Sequence, residues 1–138
     1  MKPLDTLTGD IIDAAMKIHT DLGPGLLESV YEAVLEKALQ KRGYDVKRQL
    51  SVTFEYDGIV FDEGFRADLV IDGRVVVELK SVEELVKVHR KQVLTYLRLM
   101  DLRVGLLLNF GAASLKDGLQ RIANGIDPDG STLRVNQP

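Results

Sequence analysis

Apolar positions recur at helical spacing near the start of the chain. Ile11, Ile12, Ala15, Ile18 and Leu22 mark one face over 8–22, and Thr8 stands where an N-cap would. Gly23-Pro24-Gly25 interrupts the pattern. A stronger stripe then runs to about Arg42 through Leu27, Val30, Tyr31, Val34, Leu35, Ala38 and Leu39, with Gly43 as a C-terminal stop. From here the period changes. Residues 46–56 alternate loosely and carry Val, Thr, Phe and Tyr, which predicts a strand. Asp57-Gly58 predicts a hairpin turn, 59–71 a second strand with an irregularity near Glu63-Gly64, and Asp72-Gly73 another turn before a third strand over 74–80. Helical spacing returns over 82–100, with Val86, Val93, Leu97 and Met100 on the core face. Residues 103–109, RVGLLLN, are apolar almost throughout. They predict a strand covered on both faces and joined to its neighbour by the preceding helix. A short helix over 114–123 and an irregular tail from Asn124 complete the reading.

The order helix, three-strand meander, helix, strand predicts an α/β fold, a central four-stranded mixed sheet flanked by helices. One domain over 1–138, with its core at about 8–123, suits a chain of 138 residues. Apolar residues make up 45% and charged residues 28%, an ordinary globular composition, and no stretch approaches the ~20 apolar residues needed to span a bilayer. The opening MKPLDTLTGD lacks the apolar centre of a secretory signal, so the expected location is cytoplasmic. With no cysteine and two histidines, thiolate and His-rich metal sites are excluded. Any metal would be a hard cation held by oxygen, Mg²⁺ first and Mn²⁺ as its substitute. The net charge of −3 gives no sign of a nucleic-acid partner. Between Lys80 and Arg98, however, five basic residues stand against two acidic ones, a local balance of +3.

Within RADLVIDGRVVVELKS, Asp68 interrupts one apolar run, and Glu78 and Lys80 flank Leu79 at the end of the next. Strand alternation puts Val76, Glu78 and Lys80 on one face. A two-residue Asp72-Gly73 loop would pair Asp68 with Val77 and send it to the face opposite Glu78. A three-residue loop, Ile71-Asp72-Gly73, pairs Val70 with Arg74 and puts Asp68 opposite Val76, on the same face as Glu78 and about 7 Å away diagonally. Two buried carboxylates repel unless a cation, a proton or a base intervenes. A partly buried ion pair of Asp68 and Glu78 with Lys80, beside Arg66, would serve; so would a metal.

Asp68 followed after a hairpin by Glu78-Leu79-Lys80 resembles the D…(D/E)-x-K signature of the PD-(D/E)xK nuclease superfamily, and the element order resembles its restriction-endonuclease-like core. Gly25-Leu26-Leu27-Glu28-Ser29-Val30-Tyr31 resembles the GxxExxY pattern of a family of small nucleases within it. Gln92 and Tyr96 resemble the QxxxY helix motif of its RecB-like branch. Arg66-Ala67 precedes the aspartate where that signature often has a proline. The resemblance implies Mg²⁺-dependent hydrolysis of phosphodiester bonds in nucleic acid, with DNA the first expectation. It implies metal ligands at Asp68, Glu78 and the Leu79 carbonyl, completed by Glu28. It also implies a water-orienting role for Lys80, and for Gln92 and Tyr96 a place lining the site or touching the nucleic-acid backbone.

Each assignment has a plainer counterpart. Glu28 also suits the first turn of a helix through the dipole. Gln92 and Tyr96, at i and i+4, also suit an amphipathic boundary. Lys87, Lys91 and Arg98 form a basic stripe that serves either as a solvated face or as a contact for phosphates. Tyr31 is a core residue whose hydroxyl can reach the site. His89 suits packing or phosphate contact, and His19 has no evident partner. Two rival readings follow: a catalytically inactive nucleic-acid- or protein-binding module of the same fold, and a structural role for the buried charges. At this size an oligomer or a protein partner that adds nucleic-acid-binding surface is a further expectation.

Overall fold

The computed structural model describes residues 2–125. Helix α1 spans Leu4–Leu22 and α2 spans Glu28–Lys41; β1 covers Val46–Tyr56, β2 Ile59–Ile71 and β3 Val75–Lys80. Helix α3 is Lys87–Met100, β4 Val104–Asn109, and a 3₁₀ turn over Leu115–Gly118 leads into β5, Leu119–Ala123. The five strands form one sheet in the order β1-β2-β3-β4-β5; only β3 and β4 are parallel. The α3 crossover between β3 and β4 makes that parallel step.

Two cores result, one on each face. Leu7, Ile11, Ala15 and Ile18 of α1 and Tyr31, Leu35 and Leu39 of α2 pack on Val75, Val77, Leu79, Leu106 and Leu108. Val93 and Leu97 of α3 pack on Val76 and Leu107 from the other side. Strand alternation explains the division, and β4 is buried along its whole length as its composition predicts. Gly105 lets α3 approach: a Cβ there would lie 2.6 Å from Val93 Cγ1.

Several expectations need correction. Helix α1 starts at Leu4, because Leu4 and Leu7 extend its apolar stripe; the Thr8 hydroxyl donates to the Asp5 carbonyl within the helix rather than capping it. The buried face of α2 is Tyr31, Glu32, Leu35 and Leu39, while Leu27 is 74% exposed and Val30 and Val34 are also exposed. Helix α3 starts at Lys87, not 82. The Asn109 side chain holds both the N–H and the carbonyl of Val82, which keeps that segment out of a helix, and Val86 is exposed at the helix entrance. His89 Nδ1 accepts the Val86 N–H there. His19 has a partner after all, the Ala112 carbonyl at 2.9 Å. The segment expected as a helix over 114–123 is the 3₁₀ turn and a fifth strand, which covers the β4 edge that a four-stranded sheet would leave open. Asn124 is tied to Arg103 and Leu102, and the tail beyond Gly125 lies outside the described residues.

The hairpins decide where β2 meets its neighbours. The β1–β2 register shifts between Val52 and Phe54, at the irregularity expected near Glu63-Gly64. Between β2 and β3 the loop has three residues, but they are Asp72-Gly73-Arg74: Ile71 pairs with Val75, and Val70 with Val76 rather than with Arg74. Asp72 and Gly73 both take positive φ, and the Arg74 N–H closes the turn on the Ile71 carbonyl.

Candidate active site

That register directs Asp68 toward Glu78. The β2–β3 ladder ends at Leu69 and Val77. Where the next backbone pair would form, side chains take over. The Asp68 N–H donates to Glu78 Oε2 at 2.7 Å, and the Leu79 N–H donates to Asp68 Oδ2 at 2.9 Å. The two carboxylates therefore sit together at the end of the ladder, each holding the other's strand.

Burial makes this juxtaposition costly. Glu78 is 3% exposed. Loss of solvent, then the neighbouring Asp68 charge, push its carboxyl up to about 8. Burial also raises Asp68, against the Leu79 N–H that favours its ionised form. The ion-pair explanation is not what the side chains do. Arg66 pairs with Glu63, and the Lys80 amine hydrogen-bonds to Gln92 Oε1 at 3.4 Å. Among the described residues, no lysine or arginine forms an ion pair with Asp68 or Glu78. Lys80 is near enough to favour both ionised forms without contacting either.

Helix α3 brings Gln92 and Tyr96 to the same place. The Tyr96 ring stacks on Phe65 of β2, with centroids 4.1 Å apart. Burial, then the Glu78 and Asp68 charges, raise the Tyr96 phenol and keep it protonated, while a hydrogen bond with Gln92 works the other way. Lys87, Lys91 and Arg98 lie exposed along α3.

The opening of α2 differs from the expectation. Glu28 is exposed and lines an open cleft with Leu26, Leu27, Ser81, Val82 and Gly111; no hydrogen bond links it to Asp68 or Glu78. The α2 carboxylate that acts on both is Glu32, one turn further on and 5% exposed. Its Oε1 accepts from Arg48 Nε at 2.8 Å and from Gln49 Nε2 at 2.9 Å, and the same Gln49 amide reaches Asp68 Oδ1 at 3.2 Å. The sequence did carry a signal for Glu32: with Leu35 and Leu39 it completes an i, i+3, i+7 set, so it falls on the inward stripe. Gln49 carried none. Tyr31 does not reach the site either. Its hydroxyl accepts the Leu26 N–H and donates to the Gly23 carbonyl at 2.6 Å, while its ring stacks on Phe110. In this chain the tyrosine of the Gly25–Tyr31 stretch ties down the loop before α2.

The donor set fits a hard divalent cation. Asp68, half-buried, and Glu78, buried, are adjacent carboxylates without an ion-pair partner, and carboxylate oxygens are hard ligands. Among the described residues, no three carboxylates or imidazoles already stand together as a finished cluster.

A mixed sheet covered by helices on both faces, with an aspartate and a glutamate meeting where two antiparallel strands part and a lysine two residues on, defines the restriction-endonuclease-like class of α/β fold. The chain belongs to the PD-(D/E)XK nuclease superfamily, whose family model matches residues 5–122. No curated protein and no solved structure is significantly similar to it. No helix among the described residues is long and apolar enough to cross a membrane.

Proposed function

We propose that this protein is a divalent-metal-dependent nuclease, acting in the cytoplasm on phosphodiester bonds of nucleic acid, DNA in the first instance. The observation that carries the reading is the pair of a half-buried Asp68 and a buried Glu78, side by side with no basic side chain against them. Fold stability alone does not ask for such a pair, whereas a cation-binding site does. Asp68, Glu78 and the Leu79 carbonyl would hold Mg²⁺, or Mn²⁺ in its place, with Glu32 rather than Glu28 as the α2 carboxylate beside them. When bound, the cation polarises a phosphoryl oxygen and lowers the pKa of a coordinated water.

The remaining roles belong to the chain. Lys80, held by Gln92, places a positive charge beside the carboxylates without being a ligand, where it stabilises charge developing on the attacked phosphate. Gln92 and Tyr96 line the site from α3, in keeping with the QxxxY resemblance to RecB-like enzymes. Lys87, Lys91 and Arg98 contact backbone phosphates. The GxxExxY resemblance stands on sequence, with Gly25 and Tyr31 shaping the loop into α2.

The test has two parts. Titration calorimetry with Mg²⁺ and Mn²⁺ should detect binding that Asp68→Ala and Glu78→Ala abolish. Incubation with single- and double-stranded DNA should give metal-dependent cleavage that Lys80→Ala loses. Metal and DNA binding without cleavage would make the chain a non-catalytic module; no metal binding would end the reading.

A further inference from the structure

Four described residues other than glycine have positive φ. Asp57 and Asp72 are in hairpin turns and Asp101 caps α3, all places where aspartate tolerates the left-handed region. The fourth is Gln49, φ +51°, inside β1. Glutamine has no local reason to adopt this conformation in a strand, so the surrounding structure imposes it.

The consequence is visible in where the side chains go. Arg48 pairs with Leu69, Leu50 pairs with Ala67, and Gln49 falls between them, opposite Asp68. In a regular strand, adjacent residues point to opposite faces. Here Arg48 and Gln49 both reach the same oxygen, Oε1 of Glu32. The Gln49 amide then spans from α2 to β2, donating to Glu32 and to Asp68 Oδ1. A neutral donor thus links two carboxylates from different elements that would otherwise repel each other.

We propose that Gln49 is a positioning residue: its left-handed backbone turns the amide inward to hold Glu32 beside Asp68, so that the α2 carboxylate stands at the cation site. This rests on the metal-site reading above and adds the device that assembles it. Outer groups that orient ligands are typically worth about 10–100-fold in metal affinity.

The experiment compares the full-length protein with Gln49→Gly and Gln49→Met. Glycine accepts the backbone conformation and removes the whole side chain; methionine keeps the chain length and removes the amide with its donor. Mn²⁺ affinity is read by calorimetry and metal-free stability by thermal melting. The expected result is Mn²⁺ binding about 10–100-fold weaker in both variants, with the metal-free glycine variant melting within roughly 4 °C of wild type. Unchanged affinity in both variants, with wild type binding Mn²⁺, overturns the positioning role and leaves the metal site standing. A glycine variant that melts far below wild type also overturns it, in favour of a purely structural bridge. Wild type that binds no Mn²⁺ removes the site and the positioning role together, a pattern distinct from the other two.

Discussion

At the scale of single residues, the chemistry turns on carboxylates that the fold keeps under strain. Glu78 has an ordinary value of 4.5, raised to about 8 by burial first and by Asp68 second. A carboxyl raised in the folded state favours folding while it is protonated. That contribution is complete below about 4.5 and disappears as pH rises through about 8. Without metal, the unfolding midpoint in urea should therefore fall between pH 4.5 and 8, and Glu78→Gln should flatten the slope in that window. A slope unchanged by the substitution would place the titration elsewhere. The two α2 glutamates give a second prediction. Glu32→Gln should weaken Mn²⁺ binding by about 10-fold or more, whereas Glu28→Gln should leave affinity and stability near wild type, within about 0.5 kcal/mol for an exposed side chain. Calorimetry on the two variants decides between them, and the opposite ranking would restore Glu28 to the site.

At the scale of elements, the site exists because β2 and β3 stop pairing at Leu69 and Val77 and because α3 lies close to the sheet. Both conditions can be perturbed away from the carboxylates. Gly105→Ala puts a methyl 2.6 Å from Val93 Cγ1 and must shift that side chain or α3 itself, which carries Gln92 and Tyr96. Overpacking of this kind costs about 1–3 kcal/mol. The expected outcome is a lower melting temperature together with reduced cleavage, and unaltered stability would mean that α3 moves away freely. The elements themselves were largely legible in the sequence. Both opening helices, the meander, the both-faces-buried strand and the irregularity at Glu63-Gly64 follow from period and turn residues, which are local properties. The expected helix over 114–123 failed because a short amphipathic segment cannot state its own period, and the open edge of β4 decided for a strand.

At the scale of the whole molecule, a net charge of −3 opposes binding to nucleic acid, and on the proposed function the exposed basic residues of α3 work against it. Binding should therefore be strongly salt-dependent. Each phosphate contact removed should lower the slope of log affinity against log salt by about 0.9 on duplex DNA. Lys87→Ala and Lys91→Ala, measured by fluorescence anisotropy across a salt series, should each show that decrement without changing Mn²⁺ affinity. A slope that neither substitution alters would move the nucleic-acid path off α3.

The sequence by itself determined the order of elements as far as β4 and the superfamily, because hydrophobic period, turn residues and the spacing of Asp68, Glu78 and Lys80 are written along the chain. Only the tertiary structure decided which residues meet. The hairpin offset set whether Asp68 faces Glu78: a three-residue loop puts both on one face, as expected, but the loop is Asp72-Gly73-Arg74, which brings Asp68 opposite Glu78 rather than Val76. Glu28 and Glu32 differ by four residues, about 6 Å of helix rise, and where α2 docks on the sheet selects the second. Gln49 joins Glu32 to Asp68 through a backbone conformation that no local pattern announces. Each of these depends on contacts between segments distant in sequence, and such contacts leave no periodic trace in either partner.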